Sequence, residues 1–203
     1  RMSKLETITI DTPSGSNTMQ IGSTNTATIN LGVSGDTINV PAGVTIANAG
    51  TATGFGGDNT PSFLAVNNAT QTGFSLSTYT KVTLQNEIYD TDSAFADSRF
   101  TVPSGEAGKY LITFSGALQT SSDYDEARLM VYKNGAIVES IESRIRTAGN
   151  NLKGGSSQRY SGAGILNLSV GDYIELYGLI AGSGTPQFNT PTMSLSATKL
   201  IGV

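Results

Sequence analysis

The sequence contains no cysteine and no histidine among its 203 residues. The lack of histidine excludes Ser-His-Asp and Cys-His nucleophile pairs, and it removes the commonest zinc ligand. The lack of cysteine excludes disulfides, so the fold must be stabilised differently from many small secreted modules. We therefore expect no cofactor, and we expect that the protein is not an enzyme.

Charge and long apolar runs are also scarce. Charged residues make up 14% of the chain and the net charge is −4, whereas soluble domains usually contain about 25% charged residues. No run of about 18 apolar residues occurs, so we expect no membrane insertion. The opening RMSKLETITI lacks the apolar core of a signal peptide. The acidic balance and the scattered Lys and Arg residues argue against a nucleic-acid partner.

The composition is typical of β-strands joined by tight turns. The chain contains 24 glycines, and Thr, Ser and Asn are abundant. Residues of these kinds favour strands and turns over helices. A low net charge together with 7 Phe and 8 Tyr argues against a disordered chain. The sequence therefore predicts an all-β protein.

Short apolar pairs recur along residues 8–46, with turn residues such as Ser34-Gly35-Asp36 between them. Within each pair the period is two, which indicates strands. Burying one apolar side chain contributes roughly 1.5–3 kcal/mol, whereas ordering one residue's backbone costs roughly 1–2 kcal/mol, so one copy cannot fold alone. Three chains wound about one axis would supply the missing partners. The predicted core of this trimeric shaft consists of Ile29, Leu31, Ile38, Val40, Val44 and Ile46.

Two other interpretations of this segment stay open at this point. A flexible linker rich in Ser, Thr and Gly would have a similar composition, although such linkers lack regular Ile and Val pairs. A single-chain β-solenoid is a second alternative, but rungs this short would enclose little volume. The domain prediction is a β-repeat shaft over residues 1–50, a Gly-rich connector over 51–60 and a compact β domain over 61–203.

The last 143 residues contain many candidate strands and no convincing helix. The dipeptide Asn134-Gly135 between two apolar runs predicts a type I′ hairpin, and VGDY at residues 170–173 predicts a second turn. Closely spaced strands of this kind indicate a sandwich or jelly roll. The candidate strands are FLAV (63–66), YTKVTL (79–84), RFTV (99–102), KYLITFSGAL (109–118), ARLMVY (127–132), AIVESIES (136–143), AGILNLS (163–169), DYIELYGLI (172–180) and TMSLSATKLI (192–201).

Residues 61–203 resemble the complement C1q/tumour-necrosis-factor-like domain. The resemblance rests on an aromatic residue, Tyr79, followed by Tyr89-Asp90, then FTVP (100–103), then GKYLITF (108–114), where Ile112 stands in place of the first Phe after the Tyr. The later runs VYKNGAIV, SGAGILNLSVGDYIELYG and MSLSATKLIGV resemble the Asn-Gly hairpin, the Gly-Asp turn and the closing strand of that family. The resemblance implies a ten-stranded jelly roll that assembles as a homotrimer and binds partners through exposed loops.

The first part of the chain resembles a different kind of sequence. The run TINLGVSGDTINVPAGVTIANAGTATGFGG looks like the repeats that precede C1q-like tips in bacteriophage fibre proteins. That resemblance implies an intertwined trimeric β-repeat shaft leading into a jelly-roll head. Both parts would then require the same threefold symmetry, and this agreement supports the combined interpretation.

An Arg-rich stretch, SRIRTAGNNLKGGSSQRYSG, is the candidate receptor-binding region. Planar guanidinium donors beside an aromatic platform would suit carboxylates or acidic sugars, although an ordinary solvated hairpin is the favoured interpretation. The candidate binding residues in the exposed head loops are Tyr124, Arg144, Arg146, Lys153, Arg159 and Tyr160.

Two carboxylate clusters are candidates for calcium or for acid–base chemistry. Asp90 and Asp92 lie in one cluster and Asp123 and Asp125 in the other, and both lack the third ligand and the glycine of an EF-hand loop. Some C1q-like trimers are similar in having calcium at loop carboxylates. Solvated loop charge is the favoured interpretation of both clusters, so no metal site is predicted.

The predicted function is that of a homotrimeric virion fibre, on a phage tail or capsid, with structural and host-attachment roles. Its expected partners are itself, other virion proteins and a host cell-surface glycan or protein, and its expected location is the virion surface, outside the cell. A secreted cellular C1q-like recognition or matrix module is one alternative, although collagen-like Gly-x-y repeats are lacking. A polysaccharide-cleaving fibre enzyme is a further alternative, since glycosidases need only two suitably spaced carboxylates.

Overall fold

The computed structural model describes residues 21, 28–29, 31, 34–46, 59–149 and 152–201. The chain divides into two units, Arg1–Ala52 and Thr53–Val203. Most of the predicted connector and the first apolar pairs lie outside the described residues. Among the residues that are described, no helix is long or apolar enough to cross a membrane.

The described part of the first unit consists of turns and extended chain. Gly35 and Gly43 adopt positive φ values of 97° and 84°, and the Val44 amide donates to the Pro41 carbonyl at 3.3 Å. The turn predicted at Ser34-Gly35 is thereby confirmed. Residues 28–29, 31 and 34–46 contain no strand within a single chain. The strands and the interchain core of the shaft therefore stay a prediction.

The apolar residues of this segment are exposed in one chain. Their exposed fractions run from 41% for Val40 to 63% for Leu31 and Ile38, with Ile29, Val44 and Ile46 between these values. Exposure of so many aliphatic side chains in so short a segment is unfavourable for a monomer. It fits the sequence argument that one copy cannot bury them.

The second unit is an all-β sandwich with twelve strands in its described residues. The strands are β1 Ser62–Val66, β2 Thr80–Lys81, β3 Asn86–Asp90, β4 Phe95–Ala96, β5 Arg99–Thr101, β6 Gly108–Thr120, β7 Tyr124–Lys133, β8 Ala136–Arg146, β9 Gln158–Leu168, β10 Tyr173–Gly182, β11 Pro186–Phe188 and β12 Ser194–Lys199. All nine candidate strands lie in or overlap these elements, although only Thr80–Lys81 of YTKVTL is in a strand.

These strands form two antiparallel sheets. Sheet 1 has the order β11-β6-β12-β1-β3, with β9 paired to β6, and sheet 2 has the order β4-β5-β10-β7-β8, with β2 paired to β10. Neighbouring strands such as β1 and β12 come from opposite ends of the unit. The β1–β12 ladder therefore pairs the first strand of the unit with the last.

The core lies between the two sheets. Tyr110, Ile112 and Phe114 alternate along β6 and are buried, as the period of two predicts. The Phe63 ring stacks on Phe95 and on Phe100 with centroids 4.8 Å apart in both pairs. This apolar layer fixes which side chains of each strand point outward.

Two turns anchor the same end of sheet 2. Asn134 and Gly135 have φ values of 51° and 78°, which confirms the predicted type I′ hairpin between β7 and β8. The turn before β10 is held by Asp172, whose carboxylate accepts from Lys133 Nζ at 2.8 Å, from Asn134 Nδ2 at 2.7 Å and from the Ser169 amide at 2.8 Å. These bonds tie the two turns to each other.

Candidate functional site

The outward side of sheet 2 carries a continuous set of tyrosines and arginines. Alternation along β7 sends Ala127, Leu129 and Val131 to the core, so Arg128 and Tyr132 point away from it. Tyr177 of β10 points outward for the same reason. We call this surface the tyrosine–arginine face, and we define it by Tyr79, Arg99, Arg128, Tyr132, Arg144, Arg146 and Tyr177.

Three arginines surround Glu126 at one side of this face. Arg128 Nε donates to Glu126 Oε1, Arg144 Nε lies 2.8 Å from the same oxygen and Arg146 Nε lies 3.6 Å from Glu126 Oε2. The register explains the cluster, because Arg128 is paired with Arg144 and Glu126 with Arg146 across β7 and β8. Glu142 lies at the edge of the cluster, 3.9 Å from Arg128 Nη1.

Three tyrosines cover the middle of the face. The Tyr132 and Tyr177 rings are stacked with centroids 4.0 Å apart, and the Tyr79 ring lies 6.1 Å from Tyr132. Arg128 Nη1 donates to the Tyr79 hydroxyl at 3.3 Å. The tyrosines are therefore in direct contact with the arginine cluster.

A second carboxylate, Glu175, orders the far side of the face. It is only 2% exposed, and its Oε1 accepts from Lys81 Nζ at 2.7 Å and from Arg99 Nε at 2.9 Å. The Arg99 guanidinium lies over the Tyr173 ring at 3.9 Å from its centroid. A buried carboxylate requires such partners, and here the partners fasten β2 and β5 to β10.

The ion pairs fix the charge state of these groups. Burial acts to raise the pKa of Glu126, but the hydrogen bond from Arg128 and the pairing with Arg144 outweigh it and lower that pKa. The hydrogen bond to Glu175 raises the pKa of Arg99. Burial, and then the neighbouring Tyr79, raise the pKa of Tyr132. At neutral pH Glu126 and Arg99 are therefore charged and Tyr132 is neutral.

Two of the predicted arginine donors, Arg144 and Arg146, are part of this face, but they lie on a strand. Arg144 and Arg146 are exposed and belong to the end of β8, whereas they were expected in or beside a loop. Arg159 is exposed on β9 of the other sheet. Lys153 lies in the segment between β8 and β9 and pairs with Asp123 at 2.7 Å. The structure therefore brings Arg144 and Arg146 together and leaves Lys153 and Arg159 apart from them.

The prediction that Tyr124 and Tyr160 are binding residues in exposed head loops, with Tyr160 as an aromatic platform, was wrong. Both lie in strands and are core residues, 0% and 2% exposed. Burial raises the pKa of both, and the two hydroxyls lie near enough to influence each other's pKa. Neither hydroxyl has a hydrogen-bond partner with good geometry in the described part of the chain. The reason for the error is that an aromatic residue next to a loop-like stretch can equally start a strand.

The calcium candidates occupy two places and are engaged with backbone or side-chain donors. Asp90 accepts from the Phe95 amide at 2.7 Å and from the Asp92 amide at 3.2 Å, while Asp92 accepts from the Thr91 hydroxyl at 2.5 Å. Asp123 accepts from Lys153 and from the Gly154 amide at 2.9 Å. Within the described ranges, no three acidic or other metal-binding side chains converge.

Asp125 borders an open cleft beside the tyrosine–arginine face. The cleft is lined by residues 146–149 together with Asp125, whose Oδ1 is buried without a hydrogen-bond partner among the described residues. Asp125 therefore lies at the edge of the face, next to Arg146.

The outward side of sheet 1 has the opposite character. Three cross-strand hydroxyl pairs lie there, Ser62–Thr198 at 2.8 Å, Thr113–Ser196 at 2.7 Å and Ser115–Ser194 at 2.8 Å. Leu111 and Ile165 are paired across β6 and β9 and are 38% and 58% exposed. We call this surface the serine–threonine face, and its outward residues are Ser62, Leu64, Leu111, Thr113, Ser115, Ser161, Ala163, Ile165, Ser194, Ser196 and Thr198.

Comparison with solved structures gives the fold. The chain is similar to the globular domain of a zebrafish complement 1qA protein, with a TM-score of 0.46 and 14% identity over 68% of this chain and 94% of that one. It is also similar to murine APRIL at pH 8.0, with a TM-score of 0.50 and 16% identity over 68% of this chain and 98% of that one. The second unit has the C1q/TNF-like jelly-roll fold. No family model and no curated protein matches the sequence.

The predicted head fold is thereby confirmed, and the comparison bears on fold alone. Strands β6, β12, β1 and β9 of sheet 1 and strands β7, β8 and β10 of sheet 2 make up most of the jelly roll. One fold serves many functions, so the function of this chain depends on its own surface residues.

Proposed function

We propose that this protein is a homotrimeric fibre protein at the surface of a bacteriophage particle, where it builds a shaft and attaches the particle to a host cell. The observation that carries the proposal is the contrast between the two outward faces of the jelly roll. One face is uncharged over its central residues, and the other carries stacked aromatic rings and a cluster of ion pairs. An assembly face and a recognition face on one sandwich are what a trimeric attachment protein needs.

The serine–threonine face supports assembly with copies of the same chain. Its hydroxyls bond to one another across the strands, so dehydrating the face leaves fewer unpaired polar groups than dehydrating isolated hydroxyls would. Leu111 and Ile165 supply apolar area. Lys109 and Arg159 lie at opposite ends of the β6–β9 ladder, outside the central residues. A face of this kind is suited to contact with a second protein surface.

The first unit supports the same stoichiometry. Its exposed Ile, Leu and Val side chains recur at spacings of two with turns between them, and three parallel copies could cover these side chains. Because cyclic assemblies place the same surface of each chain about one axis, a trimeric head and a trimeric shaft reinforce each other. We propose that the role of this protein is structural and adhesive and that it performs no chemical step.

Immuno-electron microscopy and an adsorption assay test the proposal together. Antibodies against the purified chain should label threefold spikes on phage particles, and excess purified chain should block adsorption of those particles to their host. Labelling of cells without labelling of particles would favour a secreted recognition module and contradict the proposal. Release of reducing ends from host glycans by the chain would favour the enzyme alternative.

A further inference from the structure

We propose that the tyrosine–arginine face binds an acidic polysaccharide, with the tyrosine rings contacting sugar rings and the arginines contacting carboxylate or sulfate groups. This inference rests on the proposed attachment function and specifies the ligand class for it. It assigns recognition to the outward surface of sheet 2, formed by β2, β5, β7, β8 and β10, and not to the head loops.

The tyrosines provide a ring surface that is open to solvent. Tyr79 is 41% exposed, and Tyr132 and Tyr177 are half-buried with their rings stacked. A tyrosine that is partly exposed to solvent offers an apolar ring and a polar hydroxyl, so it can contact a ligand that has both apolar and polar groups. The C–H side of a sugar ring and its hydroxyl groups offer that combination.

The arginines provide donors whose orientation is already set. Arg144 and Arg146 approach Glu126 through Nε, and within the described residues neither has another ion-pair or hydrogen-bond partner. Their terminal Nη groups therefore remain for a ligand. Guanidinium groups held in this way are suited to planar anions such as carboxylate and sulfate.

The local charge favours an anion although the whole chain is acidic. Five cations contribute to the surface, and three carboxylates, Glu126, Glu142 and Glu175, oppose them. Asp125 adds one more negative charge at the rim beside Arg146. The cations are Lys81, Arg99, Arg128, Arg144 and Arg146. The face therefore has more cationic than acidic residues, although the net charge of the whole chain is −4. This positive charge distinguishes the face from the rest of the chain.

Nucleic acid is a poorer match to this arrangement. Phosphate-dominated binding depends on many unpaired cations, whereas most of these arginines are already paired with carboxylates. An acidic glycan needs fewer ionic contacts because its sugar rings gain from the tyrosines. A repeating acidic sugar could contact the Glu126 side and the Glu175 side at once.

Binding of polygalacturonate to the full chain tests the inference, with fully methyl-esterified polygalacturonate as the uncharged counterpart. We expect binding to the acid form by biolayer interferometry and little binding to the ester. Removing the Tyr79 ring with Tyr79→Leu should weaken binding by at least about threefold, while Tyr79→Phe retains it. Arg144→Gln should weaken binding about tenfold through loss of a charge-assisted contact. Lys109→Gln, which removes an exposed charge elsewhere, should not.

Equal binding of the acid and ester forms, or equal binding by all variants, would overturn the inference. Binding of DNA as tightly as polygalacturonate, unchanged by Tyr79→Leu, would also overturn it, because nonspecific attraction would explain the result. Melting temperatures of the variants control for folding, and Tyr79 lies outside the strands, so its replacement leaves the ladders intact.

The adsorption assay separates this inference from the proposed function. If the unmodified chain blocks phage adsorption but Tyr79→Leu and Arg144→Gln block it equally well, the attachment role stands and the assigned face is wrong. If the unmodified chain fails to block adsorption, the attachment role fails whatever the polygalacturonate result.

Discussion

Ala163→Lys in the middle of the serine–threonine face should dissociate the trimer and leave each head folded. Ala163 is exposed on β9 in the single chain and is paired with Thr113 of β6. A lysine there has room to extend into solvent in a monomer. In the proposed trimer it would be placed against another chain, and the face has no carboxylate at its centre to receive the ammonium group.

The destabilisation of the trimer by Ala163→Lys depends on two free energies, the gain from burying apolar side chains and the cost of burying the lysine charge. Full burial of one aliphatic side chain contributes roughly 1.5–3 kcal/mol. Leu111 and Ile165 are 38% and 58% exposed, so assembly can gain only about 0.6–1.1 kcal/mol from Leu111 and about 0.9–1.7 kcal/mol from Ile165. An unpaired buried charge costs several kcal/mol per ion, and the trimer would contain three of them. The lysine should therefore outweigh these apolar contributions.

Multi-angle light scattering and thermal melting measure the outcome. The unmodified chain should have three times the 21.1 kDa mass of one chain, and the variant should have the monomer mass while retaining its β-sheet circular dichroism. Thr101→Lys is the matched control, because it adds the same charge to an exposed strand position of sheet 2 and should leave the trimer intact. A monomeric unmodified chain, or a trimeric Ala163→Lys variant with an unchanged melting temperature, would refute the reasoning.

Two further predictions concern the head itself. Tyr110→Phe removes a hydroxyl that donates to the Glu106 carbonyl at 2.6 Å and should lower the free energy of unfolding by about 1 kcal/mol. Tyr160→Phe removes a buried hydroxyl that lies near the Tyr124 hydroxyl without a well-oriented hydrogen bond, and should lower the free energy of unfolding by less. Urea denaturation distinguishes the two, and an equal loss in both would contradict the assignment. The Lys133 hydrogen bond, followed by that of Asn134, lowers the pKa of Asp172 to about 2, so its stabilising effect is complete above the unfolded pKa of about 4 and is lost as the pH falls towards 2. Asp172→Asn should therefore reduce the loss of unfolding free energy over that pH range, by no more than about 1 kcal/mol because the site is at the surface. Urea denaturation at several pH values measures this, and an unchanged pH profile would exclude the role.

The long strands and their turns could be predicted from the sequence because the signals are local. Alternation in KYLITFSGAL fixes the core side of β6, and Asn134-Gly135 fixes a turn geometry that few other residues adopt. Strand β3 (Asn86–Asp90) was missed since NEIYD does not alternate, and β11 (Pro186–Phe188) was missed since three residues carry no period. Their strand pairing comes from partners distant in sequence.

The candidate site could be predicted only in part. Arg144 and Arg146 stand out because they are close in sequence, but their partner Glu126 is reached through the β7–β8 ladder. Tyr79, Tyr132 and Tyr177 are far apart in the chain and meet only after β2, β7 and β10 have paired. Tyr124 and Tyr160 misled the prediction, because whether a tyrosine packs inward depends on strand parity, which shifts at irregularities such as the one between Ala181 and Gly182.

Because the two faces lie on opposite sheets with an apolar core between them, residues on one face can change without contacting residues on the other. If the tyrosine–arginine face binds a ligand as proposed, substitutions among Tyr79, Arg144 and Arg146 would alter that binding and leave the hydroxyl pairs of sheet 1 unchanged. Two forms of the chain that differ only on sheet 2 should therefore co-assemble when produced together. In the proposed phage fibre, mixed particles bearing both forms would display two adhesive specificities at once, so that a new host is gained before the old one is lost.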